Sequence, residues 1–263
     1  MKFKLFLSIV LITSSLLSQE TVVSKIRLLP NENYSIEKII KINTTIEPTL
    51  NKKQLNNAKE KKIDPKVTNK RRTLSKIKLT TNEIDADGKI SSKMQFSFNT
   101  SSSLVINGET KHKVGPTYSD TKFLKEYNYN LKSKFEPIEL PEGQLKIGDT
   151  FETISNERLQ IEGYRELFFI KRKTSFTVTH INKSRMTLSF IHDFYLDDKS
   201  TNESELTIIK SNGKGVAEYN CKKSYLTIFN SKFEVKYSFK SNELGIIIIA
   251  TIQSDIKQTI STE

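Results

Sequence analysis

The feature that most constrains this chain is an alternation of apolar and polar residues with period two, which recurs along its length while the 3.6-residue period of an amphipathic helix is scarce. From Tyr34 to Ile46, Tyr34, Ile36, Ile40, Ile42 and Ile46 fall on one parity and Ser35, Glu37, Lys41, Asn43 and Thr45 on the other. A strand places these sets on opposite sides, one dry and one wet. The same rule selects Met94-Gln95-Phe96-Ser97-Phe98, then Met186, Leu188, Phe190, Phe194 and Leu196, and then Phe233, Val235, Tyr237 and Phe239. Each reads as a half-buried strand.

Turn residues punctuate these runs: Asp85-Ala86-Asp87-Gly88, Asn107-Gly108, Asn182-Lys183-Ser184-Arg185 and Asn212-Gly213-Lys214-Gly215. Asn-Gly and Asp-Gly supply the positive φ that tight hairpins need, so consecutive strands are expected to pair antiparallel. Helices are expected only at Thr121 to Lys132 and Arg158 to Phe169. The segment Glu136 to Gly143 carries Pro137 and Pro141, which interrupt regular pairing and mark a boundary. The fold class that follows is mainly β, with antiparallel curved sheets or an open barrel in two consecutive halves, residues 19–136 and 137–263, and one or two short helices.

Residues 1–18 have Lys2 and Lys4, an apolar run from Leu5 to Leu17 and Ser18 at the expected cut, the pattern of a secretory signal peptide. The run is shorter than the ~20 residues of a membrane-spanning helix, so cleavage and a periplasmic or secreted product without a transmembrane span are expected. A single cysteine, Cys221, allows no internal disulfide; its parity with Ala217 and Tyr219 predicts a small core residue.

The net charge of +12 is concentrated. Between Asn51 and Arg72, Lys52, Lys53, Lys59, Lys61, Lys62, Lys66, Lys70, Arg71 and Arg72 face only Glu60 and Asp64. The stretch is rich in Asn and reads as a long exposed basic loop, with these nine side chains as contacts for anions of the cell envelope. Nucleic acid is not expected as a partner, because the segment lacks interleaved aromatics for base stacking.

No catalytic or metal constellation emerges. His180 and His192 share the parity of the dry face, but in a hairpin around residues 182–185 they stand about 13 Å apart, too far for one ion. Asp193, Asp197 and Asp198 occupy wet or turn positions. Asp85-Ala86-Asp87-Gly88 has the start of a calcium loop but Phe96 where the closing Glu belongs. No nucleophile elbow, zinc helix or phosphate loop is present, so neither an enzyme nor a cofactor is expected.

Leu140-Pro141 followed by Leu145-Lys146-Ile147-Gly148-Asp149-Thr150-Phe151-Glu152, then a meander through Asn212 to Gly215 and Tyr219 and a closing strand at Ile246 to Ile256, resembles a family of secreted β-rich proteins of unknown function common in Bacteroidetes. The resemblance implies an extracytoplasmic β fold and transfers no catalytic residue. Two functions follow as expectations: a non-enzymatic binding or carrier module for a hydrophobic ligand, with an apolar cavity of roughly several hundred Å3, or a surface protein that docks on acidic envelope components through the basic segment.

Overall fold

The computed structural model describes residues 21–24, 28–61, 64–127, 131, 138, 140–141, 143–160, 167–196, 206–241 and 245–263. The expected signal peptide lies outside them, as do Lys62 and half of the 136–143 connector. The chain is mainly β. Its elements are β1 (Thr21–Ser24), β2 (Asn33–Pro48), helix α1 (Lys52–Glu60), β3 (Val67–Ile84), β4 (Lys89–Ile106), β5 (Glu109–Val114), β6 (Tyr118–Tyr127), β7 (Gly143–Lys146), β8 (Thr150–Gln160), β9 (Leu167–Ile181), β10 (Arg185–Leu196), β11 (Thr207–Asn220), β12 (Tyr225–Lys240) and β13 (Ile247–Thr262).

Eleven strands form one open antiparallel sheet in the order β5-β4-β3-β2-β13-β12-β11-β10-β9-β8, and β1 pairs separately with β7. β6 pairs with the first half of β4, and β5 with its second half, so the two are successive pieces of one edge, separated by Gly115, Pro116 and Thr117. Strands from both sides of the connector share the sheet, joined where β13 lies antiparallel to β2 from Ile248↔Pro48 to Thr262↔Tyr34.

The dry parity carries the core. Along β10, Met186, Leu188, Phe190, His192 and Phe194 are buried, while Ile191 and Asp193 between them are exposed. Phe168 of β9 and Phe239 of β12 bring their ring centroids to 5.0 Å, although three strand spacings amount to about 14 Å on a flat sheet. The sheet therefore coils over its dry face at that end. The rings of Phe190 on β10 and Phe229 on β12 stack at 5.2 Å above β11, the strand between them. Burying each such ring contributes about 1.5–3 kcal/mol.

Several turns form as their residues dictate. Asn107 and Gly108 have φ of 52° and 77°, as a two-residue hairpin requires. The Asp85 carboxylate accepts from the Asp87 and Lys89 amides, and the Asn182 amide oxygen accepts from the Ser184 and Arg185 amides.

Four expectations need correction. Asn212 to Gly215 is no turn: it lies in mid-β11, with Gly213 to Gly215 paired on both sides and Asn212 paired with Glu234. Gly213 and Gly215 stand on the dry parity, where a Cβ on Gly213 would sit 2.8 Å from the Cβ atoms of His192 and Phe233, and one on Gly215 would collide with the Phe190 ring and the Asn230 carbonyl. Their role is close approach. Residues 51–72 are no loop: α1 is capped by a reciprocal pair of bonds between Asn51 and Gln54, and Val67 onward enters β3. Residues 121–127 form part of β6, with Phe123 and Lys125 exposed and Leu124 and Glu126 partly buried, because the free edge of β4 gives their backbone a ladder. Within 158–169, the described residues lie in β8 and β9 and pair Arg158↔Phe169 and Gln160↔Leu167. Cross-strand partners decided both segments, and the one complete helix among the described residues is α1.

Candidate functional site

A concavity of about 990 Å3 forms a groove that runs across the strands rather than along them. It takes up to three successive residues from each of eight adjacent strands, β5-β4-β3-β2-β13-β12-β11-β10, at the middle of the sheet. On β10 it is lined by exposed Ile191; on β11, β12, β13, β2, β3 and β4 it takes Gly213, Phe233, Ser254, Ile42, Arg71 and Ser102 together with the wet-parity residues on either side of each.

Register builds it in two rows. Lys214, Lys232, Asp255, Lys41, Arg72 and Ser101 are successive cross-strand partners on β11, β12, β13, β2, β3 and β4. One level away the partners are Asn212, Glu234, Gln253, Asn43, Lys70 and Ser103. The acidic members are engaged: Asp255 lies 4.0 Å from Lys232, and Glu234 accepts from Gln253 Nε2 at 2.8 Å and Lys210 Nζ at 2.9 Å. Those bonds, the Gln253 amide first, hold the Glu234 carboxyl below its ordinary range. Lys41, Lys70, Arg72 and Lys214 make no ion pair with the described residues. The groove therefore carries an excess of uncompensated positive charge beside Ser, Asn and Gln side chains, a surface for an anion.

The basic residues expected to contact anions divide by location. Lys70, Arg71 and Arg72 lie on β3 and line the groove. Lys52, Lys53 and Lys59 are on α1, and Lys61 caps its C-terminus. Lys66 is tied to Glu47 at 2.8 Å. Because Ile46 pairs with Val67 at the hairpin end and Lys41 with Arg72 at the groove, five residues or about 17 Å of strand separate the helix end from the groove. Lys41, Lys214, Lys232, Ser101 and Ser103 were not singled out by sequence reasoning. Each is an ordinary wet-face residue, and only the register aligns them.

The dry face holds a second polar group, sealed from solvent. His192 is 5% exposed. Its Nδ1 lies 2.8 Å from Thr174 Oγ1 and its Nε2 2.8 Å from Ser231 Oγ. A hydroxyl beside an imidazole is also the start of a nucleophile–base pair. Here both ring nitrogens are taken up by hydroxyls, and Ser231 is 2% exposed, so the bonds tie β9, β10 and β12 together beneath the surface. Burial, and then the Arg172 charge, pull His192 down to about 4. Burial and Arg172 also lower Lys38, and the Arg172 guanidinium pairs with Glu157 at 3.0 Å.

His192 thus sets an acid limit. The folded state favours the neutral ring, so its contribution is complete above the unfolded value of about 6.5 and is lost as pH falls toward about 4. Allowing for partial screening, we expect about 1–2 kcal/mol of stability to disappear between pH 7 and pH 4.5. His192→Gln, which preserves a donor and an acceptor, should flatten the melting temperature across that window relative to wild type. Equal slopes would assign the acid sensitivity elsewhere.

His180 does not share the dry face. The β9–β10 register slips between Thr187 and Leu188, and the extra residue on β9 turns Ile181 inward and leaves His180 exposed beside Asn182. Cys221 is partly buried in the turn after β11, and burial pushes its thiol up. Among the described residues no three His, Cys, Asp or Glu side chains gather as a metal site. No protein-family model and no curated protein matches the chain.

Proposed function

We propose that the chain is an exported, non-enzymatic binding module whose sheet, coiled as an open barrel, presents a groove for an anionic component of the cell envelope. The observation that carries this reading is the charge of the groove: Lys41, Lys70, Arg71, Arg72, Lys113, Lys214 and Lys232 line it against Glu234 and Asp255, with Ser, Asn and Gln side chains and with Ile42, Val114, Ile191 and Phe233 between them. An apolar cargo would need a dry chamber, whereas the dry parity is filled by side chains such as Val178, Leu188, Ala217, Tyr237 and Ile248, each 0% exposed. Export rests on the basic and apolar pattern of residues 1–18.

Charge reversal provides the test. Wild-type protein is expected to bind at least one of polyphosphate, polygalacturonate or phosphatidylglycerol vesicles at low salt, more weakly as salt rises. Lys41→Glu/Lys70→Glu/Arg72→Glu should weaken that binding at least about tenfold, while Lys52→Glu/Lys53→Glu/Lys59→Glu on α1 should leave it within about twofold. Three solvated positions leave the core intact, so circular dichroism and melting should match wild type. Failure of the wild type to bind any of the three probes would end this reading.

A further inference from the structure

The groove's rows define its occupant more closely, and this step rests on the anion-binding reading above. We infer that the groove takes an extended acidic polysaccharide lying across the strands.

Three observations lead there. First, the cations extend along the groove: Lys214 and Lys232 are direct partners at one end, Asp255 follows, then Lys41 and Arg72 are direct partners, with Lys70, Arg71 and Lys113 beside them. Adjacent strands are about 4.8 Å apart, so Lys214 and Arg72 stand about 19 Å from one another. A single phosphate or carboxylate reaches one pair; a linear polymer with repeated charges reaches both. Second, the surface is recessed, which suits a chain and not a flat bilayer.

Third, the groove offers hydroxyl and amide partners between the charges. Ser101 and Ser103 lie on its wet rows beside Arg72 and Lys70, and Asn212 lies opposite Glu234. Glu234, a carboxylate, can only accept, which fixes the Gln253 amide with its nitrogen toward Glu234 and its oxygen toward Asn43 Nδ2. The polar chain ends on Asn43 Oδ1, which has no donor. A sugar hydroxyl can donate there; a phosphate diester or a carboxylate cannot. The oxygen is covered in the free protein, so it gains its donor only as neighbouring side chains move onto the polymer.

The test uses the full mature chain and calorimetry with polygalacturonate, length-matched polyphosphate, neutral dextran and phosphatidylglycerol vesicles. Polygalacturonate should bind at least about tenfold more tightly than polyphosphate at equal salt, with dextran and vesicles at background. Ser101→Ala/Ser103→Ala/Asn212→Ala should weaken polygalacturonate at least about fivefold and change polyphosphate less than about twofold. Oligomers too short to span Lys214 to Arg72 should bind at least about tenfold more weakly than long chains. Equal or tighter binding of polyphosphate, or vesicle binding alone, would overturn the polysaccharide assignment while leaving the anion groove standing. Loss of every interaction would remove both.

Discussion

Gly215→Ala should lower the melting temperature by roughly 6–12 °C, the largest effect expected from any single methyl group in this protein. The added Cβ would stand on the dry parity of β11, fixed in place by the backbone, against the Phe190 ring and the Asn230 carbonyl. The ring can swing only by leaving its stack with Phe229, and the carbonyl belongs to β12, whose ladder runs on into β13. Overpacking of this kind costs about 1–3 kcal/mol, and the lost ring packing adds to it. Gly213→Ala, whose contacts of 2.8 Å are to side-chain Cβ atoms of His192 and Phe233, should cost less. Thermal melts of both variants check the order. A Gly215→Ala protein that melts within about 1 °C of wild type would mean the two strands can part there freely.

Removing residues 247–263 should abolish cooperative unfolding altogether. The last strand is not an appendage: within the eleven-stranded sheet β13 lies between β2 and β12 and joins the strands β2 to β6 to the strands β8 to β12. Without it, β2 and β12 become cut edges and the cover over Ile46, Val235, Tyr237 and Phe239 is gone. A domain of this size has about 5–15 kcal/mol of stability in all, less than such a loss removes. The truncated protein should show no sigmoidal melt and should bind hydrophobic dye, and a peptide of residues 247–263 added in trans should restore part of the transition. A truncated chain with a wild-type melt would refute this account of the sheet.

The strands were legible because burial on one face imposes period two, and the runs at 34–46, 186–196 and 233–239 carry it plainly. The errors share a physical cause: each depended on a neighbour in space. Gly213 and Gly215 look like turn residues until His192 and Phe233 are placed against the first and the Phe190 ring against the second. His180 has the parity of the core, but one extra residue at Thr179 reverses it. Residues 121–127 pair because β4 leaves an edge for them. The helix at 52–60 was hidden by its polarity, since it buries no residue and so shows no apolar stripe, although the Asn51 and Gln54 spacing is a capping signal. The groove was illegible for the same reason. Lys41, Arg72, Lys214 and Lys232 are far apart in sequence and become a row only through four consecutive strand pairings.

The interruption of the outer edge at Gly115, Pro116 and Thr117 has a consequence for behaviour in a crowded medium. A second molecule seeking to extend the ladder there would find two short pieces, β5 and β6, interrupted between them, with Pro116 offering no amide hydrogen. Lys111, Lys113, Lys122 and Lys125 along the same margin add mutual repulsion between copies. Fibril growth from this side is therefore discouraged by covalent structure.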